Sequence, residues 1–364
     1  MKLNSTIVNL LKVFATLMVY FCHSTIVAKE CFEGGGLIKI FNTPAWGGGV
    51  WMFLIISGLL AGYGFETGRY QLNLNSIKQY YKGRITKVLI PTWIFLTLVF
   101  IFNMRDATIK WDVIFRMLTC TYNGGFTGVY GAGATWYVFM LMWLYLLAPL
   151  FFSLLQKYEG NNKNREFKAY LKLLGYVIAL GLCYRVVGFL IHLDTYNWLY
   201  ANVLACIDLF VAGTICARMI KVFPKNKYKR LIGFRLLLLM LFVFMNFMFI
   251  ITGKIPLLSP FYHYISPSCY ILFTCSLILL YSADIKPSKV LNGMIGKVCN
   301  IICPFSFAFY LWHTSLLAAV ADSFSWITNT YCHYAVMMCL GTIVVSYVSF
   351  LMTKMNNGII KSLS

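Results

Sequence analysis

Residues 135–155 read TWYVFMLMWLYLLAPLFFSLL, twenty-one residues without a charged side chain. A helix rises about 1.5 Å per residue and the hydrocarbon core of a bilayer is about 30 Å thick, so this stretch is long enough to cross it. In lipid no water satisfies backbone N–H and C=O groups, and a helix satisfies them within the segment. Working outward, similar apolar blocks place further spans at 5–28, 46–66, 88–104, 171–191, 199–220, 231–252, 267–283, 299–320 and 333–353. Pro267 stands at the start of the eighth. The fold expected is all-α: a polytopic integral membrane helix bundle of about ten transmembrane helices.

Composition agrees. The 364 residues are 60% hydrophobic, 17% aromatic and only 12% charged, about half the charged share of a soluble domain. The net charge of +20 raises nucleic acid as a partner. Its distribution argues against that. Counting the span-end residues Lys172, Arg218 and Arg235 with the segments they adjoin, ten spans place 23 of the 31 Lys and Arg on one side and six on the other, and Lys12 and Arg185 lie deeper within spans. Excess Lys and Arg mark cytoplasmic loops, so both termini are expected in the cytoplasm and no nucleic acid is expected.

The apolar run after Lys2 lacks a small-x-small cleavage site and is interrupted by Lys12 and His23, so it reads as a retained first span. No fixed-period repeat or low-complexity linker divides the chain, and 1–364 is expected to be one domain with no appended soluble domain. The basic run 221–230, KVFPKNKYKR, suits anionic lipid or topology enforcement. The outer loop 105–134 carries five glycines that allow it to cover or shape a site. Most of the twelve cysteines lie in apolar blocks. Cys299 and Cys303 have no second pair nearby, so no metal is expected. Cys31, Cys120 and Cys332 fall in outer loops, where a disulfide stays open.

Ionisable groups in a span are costly and mark function by default. Five stand out: Lys12, His23, Arg185, Asp208 and His313. Lys12 and His23 are eleven residues apart, three turns plus about 20°, so they share one helix face about 16 Å apart along the axis. Lys12 offers a cation toward the inside and His23 an imidazole toward the outside. The alternative is a snorkelling Lys12 and a structural His23. His313, in the ninth span, lies at a depth like that of His23. Arg185 and Asp208 also match in depth on consecutive spans, which suits a buried pair, with substrate contact the less favoured role. Gly58, after Ser57, would admit a close helix neighbour. Lys82, Arg84 and Lys87 precede Pro91 and would line a cytoplasmic entrance, where phosphate-bearing donors need cations.

These pieces, in order, resemble the membrane acyltransferase 3 family, which includes bacterial surface-polysaccharide O-acetyltransferases. Leu11–His23 resembles its opening Arg-to-His segment with the same spacing of eleven. Trp51-Met-Phe-Leu-Ile-Ile-Ser-Gly58 resembles its Phe-Phe-x-Ile-Ser-Gly block, and Lys82-Gly-Arg84-Ile-Thr-Lys87 through Pro91 its basic segment before a proline. Thr135-Trp136-Tyr137 with Leu144–Pro149 resembles its Trp-Phe/Tyr-Leu span, and Tyr310-Leu-Trp-His313 its late Tyr-Leu-x-His element. Lys12 stands where the family usually has Arg, and Lys87 where a second Arg is frequent. Ala134 and Thr135 occupy the region where a His often precedes the Trp.

The resemblance implies an O-acyltransferase of the cytoplasmic (inner) membrane, acting between acyl-CoA as co-substrate, acetyl-CoA foremost, and a cell-surface or lipid-linked carbohydrate. His23 would be the general base for direct transfer. Lys12, Lys82, Arg84 and Lys87 would bind the donor, with Ser57, Trp136, Arg185, Asp208, Tyr310 and His313 supporting or on the acceptor side. No permanently bound cofactor is expected. Membrane lipid is a partner, and a homodimer is compatible with the sequence. The competing classes are a transporter or flippase of a lipid-linked glycan and a non-catalytic membrane sensor.

Overall fold

The structure, a computed structural model, describes residues 3–27, 48–103, 115, 119, 135–159, 162–223, 259–282 and 293–363. Among these residues nine helical stretches are long and apolar enough to cross a membrane, and there is no strand. In chain order the helices are α1 (Ser5–Val27), α2 (Gly48–Glu66), α3 (Leu74–Arg84), α4 (Ile90–Asn103), α5 (Trp136–Gln156), α6 (Lys163–Leu190), α7 (Val203–Val222), α8 (Ser259–Ser282), α9 (Met294–Ile302), α10 (Ser306–Ser323) and α11 (Thr330–Leu363). The expected span at 231–252, nearly all of loop 105–134 and the basic residues 224–230 lie outside the described residues.

The spans differ from expectation chiefly at their ends. The third begins at Leu74 rather than 88, because the polar α3 runs through a π-turn at Ile85–Leu89 into α4. Asn73 starts it, its side chain accepting from the Ser76 amide at 2.9 Å. The eighth begins at Ser259, and Pro267 lies inside the helix rather than at its head. The ninth is built from α9, a 3-10 turn at Cys303–Phe305 and α10, with the break at Pro304.

Polar contacts gather alternate helix ends at one face. The Leu3 amide donates to the Tyr63 hydroxyl near the end of α2 at 3.2 Å. The Asn4 side chain donates to the Tyr281 carbonyl at 3.1 Å, at the end of α8. Glu66 at the end of α2, Glu159 just beyond α5, and Arg218 and Lys221 at the end of α7 form one ion cluster. Asn356 to Ile360 of α11 share a cavity with Lys87 at the head of the third span. The first described residues and the end of α11 therefore lie on the same side. α7 ends at this face, while α8 begins at the opposite one and ends here.

Helices α2 and α7 form the centre, with 78% of each span window buried, against 22% for α6 and α11 at the periphery. Glycine sets how closely the central pair can approach. A Cβ on Gly58 would lie 1.9 Å from the Phe210 carbonyl oxygen, and one on Gly213 would lie 2.0 Å from that of Ile55. No larger residue fits either position without moving backbone. Peripheral helices present Leu180, Leu190, Ile343 and Tyr347 outward. In a bilayer these meet hydrocarbon, so their exposure carries no hydrophobic cost.

Candidate active site

Helices α1 and α10 bring His23 and His313 into contact. His23 Nδ1 lies 2.5 Å from His313 Nε2, and the rings stack at 4.8 Å between centroids with 24° between their planes. On its other side His313 Nδ1 lies 2.6 Å from the Tyr310 carbonyl oxygen, one turn earlier in α10. A carbonyl only accepts, so that Nδ1 carries a proton. In the neutral pair His313 Nε2 is then an acceptor, and His23 Nδ1 must be the donor. The tautomer of His23 follows: its Nε2 keeps a free lone pair. Lys12 lies lower on α1, within electrostatic reach of the Cys303 thiol. The two residues of α1 thus meet two residues of the 303–323 segment ten apart, so α1 and α10 run parallel side by side.

A packed shell holds the pair. Tyr20, one turn below His23, sets its ring edge-on to His313 and to Phe309, and its hydroxyl donates to Thr342 at 2.8 Å. Tyr137 packs edge-on against Tyr310 at 5.4 Å and interacts with the Ser57 hydroxyl. Phe53 packs on both Tyr137 and Tyr310. Tyr310 touches His313 directly, its ring 5.7 Å from the imidazole, and Ser57 reaches the pair through Tyr137 and Tyr310. Trp136 sits one layer further out: it meets the Tyr137 ring edge-on at 6.2 Å and packs against Tyr200, which in turn meets Trp51.

The expected cationic entrance is divided. Arg84 turns inward, its guanidinium 4.9 Å from the Tyr80 ring and 4.6 Å from that of Tyr145. Such stacking suits a planar, weakly hydrated cation. Lys82 and Lys87 are exposed. Lys87 lines a separate cavity of about 150 Å³ with Pro91, Pro304, Phe307, Asn356 and Asn357. The buried Asn356 amide oxygen has no hydrogen-bond partner in the structure. The π-turn directly after Arg84 turns Lys87 away from it. A second cavity, about 310 Å³, lies between α1, α10 and α11. A third lies beside Asp208. None of these three contains both His23 and Arg84.

Arg185 and Asp208 form a closed pair, away from the imidazoles. Two parallel hydrogen bonds of 2.9 and 2.8 Å join them, and Arg185 also donates to the Ala205 carbonyl at 2.7 Å. Gly181 makes room: a Cβ there would lie 2.0 Å from Asp208 Oδ2. The larger ion cluster escaped the sequence reading, which only counted Arg218 among the cytoplasmic-side cations. Arg218 is 1% exposed, pairs with Glu66 and Glu159, and sits over the Phe152 ring at 4.6 Å. An acidic residue closing an otherwise apolar span was the available signal for Glu66. For Tyr20 and Tyr137 the signals were the i, i+3 spacing to His23 and the place beside Trp136. Among the described residues no group of three or more His, Cys, Asp and Glu is placed to hold a metal. Cys332 is a free thiol, whereas Cys31 and Cys120 lie outside the described residues.

Comparison with known proteins gives a family. Searches of curated proteins and of solved structures found no match. A family model described as an acyltransferase domain matches residues 6–351, nearly the whole chain and every helix described above. The chain, a multi-pass helical bundle with a histidine pair between α1 and α10, thus belongs to the acyltransferase 3 family.

Proposed function

We propose that the protein transfers an acyl group, acetyl foremost, from acyl-CoA at the cytoplasmic face to a carbohydrate hydroxyl at the outer face of the cytoplasmic membrane. The charge asymmetry supports placing both termini inside. The observation that carries the reading is the relay from the Tyr310 carbonyl through His313 to His23, because it leaves one basic nitrogen uncommitted.

Each group then has a task. His23 Nε2 takes the proton of the acceptor hydroxyl as its oxygen attacks the thioester carbonyl carbon. The new C–O bond forms, the C–S bond breaks, and the thiolate leaves with a proton returned by His23. The His23 imidazolium keeps its Nδ1–H on His313, which holds the ring still through the transfer. No acyl-enzyme is required: Cys22 neighbours His23 in sequence, but adjacent residues on a helix do not face each other. Arg84, Lys87, Lys82 and Lys12 supply cations on the donor side, with Arg84 held ready by two tyrosine rings. Donor and acceptor would approach from opposite faces.

The test is thioester consumption by purified protein, with mass spectrometry of the host's surface glycans. Wild type should release free CoA and His23→Ala should not, while both insert equally. Equal turnover by the two proteins would end the proposal.

A further inference from the structure

The 310 Å³ cavity between α1, α10 and α11 is not used by the transfer chemistry above, yet it ends directly beneath the imidazole pair. It runs along α1 from Val13 to Phe21 and along the adjoining helix from Ile302 to Phe309. At about 1.5 Å per residue these stretches span roughly 10–12 Å. His23 and His313 lie two and four residues beyond its upper end, with Tyr20 and Phe309 between. Its rim is open sideways, since Leu17 and Ile302 are 43% and 41% exposed. In a membrane protein that rim faces hydrocarbon.

The lining is mostly apolar, and of its hydroxyls all but that of Ser346, on the exposed side of α11, are engaged within the protein. The Thr16, Ser306, Thr342 and Ser349 hydroxyls all donate to carbonyls of their own chain segments, at 2.9, 2.7, 2.5 and 2.6 Å. The Tyr20 hydroxyl is spent on Thr342. A polar ligand would find these groups already engaged, whereas a hydrocarbon chain would displace nothing.

We infer that this cavity holds the hydrocarbon tail of a lipid-linked saccharide acceptor. The inference rests on the proposed transfer reading and narrows its acceptor class. An outer-leaflet lipid keeps its head at the outer surface and its tail toward the midplane. A tail in the groove between Val13 and Phe21 therefore sets its sugar just above, at the level of His23. A long acyl group on the donor does not fit this course, because its thioester must sit at His23 with the CoA portion already leading inward. The groove acts as a measuring slot: tail contact fixes the depth of the head, which is the positioning that direct transfer needs.

The experiment uses full-length protein in phosphatidylcholine nanodiscs and a single-chain glycolipid carrying a diazirine midway along its alkyl chain. After illumination, label should map to peptides covering Val13–Phe21 and Ile302–Phe309. Unlabelled glycolipid should compete it away and added phosphatidylcholine should not. Ser346→Phe and Leu17→Trp, which fill the groove from its rim, should each lower labelling about tenfold. His23→Ala should label as wild type does. Label competed equally by phosphatidylcholine, or unmoved by both filling variants, would overturn the inference. Thioester consumption is followed on the same preparations, so loss of the transfer reading shows as absent turnover with labelling intact.

Discussion

Two sets of buried polar groups divide this bundle. Between α6 and α7, Arg185 and Asp208 meet in a two-bond pair, and Arg218 and Lys221 balance Glu66 and Glu159 at the helix ends. Between α1 and α10, two imidazoles form a chain that is satisfied at one end only. The difference is chemical closure. An ion pair commits its charges to its partner and serves to fix how helices assemble, even though the buried Arg185 Nε has no hydrogen-bond partner in the structure. An open imidazole chain holds a basic nitrogen in one tautomer and leaves it free to react. Both sets were expensive to bury, and only the second retains reactivity in exchange.

The contrast breaks most visibly at His23. His23→Ala should lower acyl transfer about 10²- to 10⁴-fold, the range for losing a general base, with unfolding in detergent almost unmoved. Next in size, Asp208→Ala strands Arg185 in the bundle and should cost about 3–5 kcal/mol of stability. Thermal unfolding would register it, and activity per folded molecule should be kept. The paired change Arg185→Met with Asp208→Leu should recover part of that loss, since it removes both charges together. A large activity deficit in the folded double variant would move this pair into the site.

His313→Gln tests the relay and should be smaller. Losing the partner that fixes the tautomer should cut kcat about 10- to 100-fold, as removing an orienting partner does elsewhere, with KM for the thioester little changed. A KM effect alone would make His313 a binding residue. The smallest effect belongs to Glu159, which is 47% exposed. Its hydrogen bond with Arg218 holds its carboxyl below the usual range. The unfolded chain then binds the proton more readily, so the pair stabilises above the ordinary Glu pKa of about 4.3 and that stabilisation fades as acid protonates the folded carboxylate. Glu159→Gln should cost under about 1 kcal/mol at pH 7, screened by solvent, and flatten the stability profile below pH 4.5. Melting curves across that range would check it.

Much of this was legible before any coordinates. An uncharged block such as 135–155 has one way to sit in lipid, so helix type and rough position follow from hydropathy. The spacing from Lys12 to His23 and the matched depths of Arg185 and Asp208 follow from the helical period. The ends were less legible, because α3 and the last turns of α11 are polar helix outside the apolar signal. The layout of the cations was less legible for a related reason: sequence spacing assumes an α-helix, and after the π-turn that follows Arg84, Lys87 lines a cavity of its own.

The amino-acid sequence alone determined that the chain is a helical membrane bundle, and it made polar groups deep in the spans conspicuous, because lipid penalises each of them. Only the tertiary structure decided which of them meet. Contact between His23 and His313, 290 residues apart, depends on how two distant helices pack side by side. The enclosure of Arg84 by tyrosines and the groove below Tyr20 depend on it too. Packing is a property of facing surfaces, and one-dimensional periodicity gives each helix its face but not its neighbour.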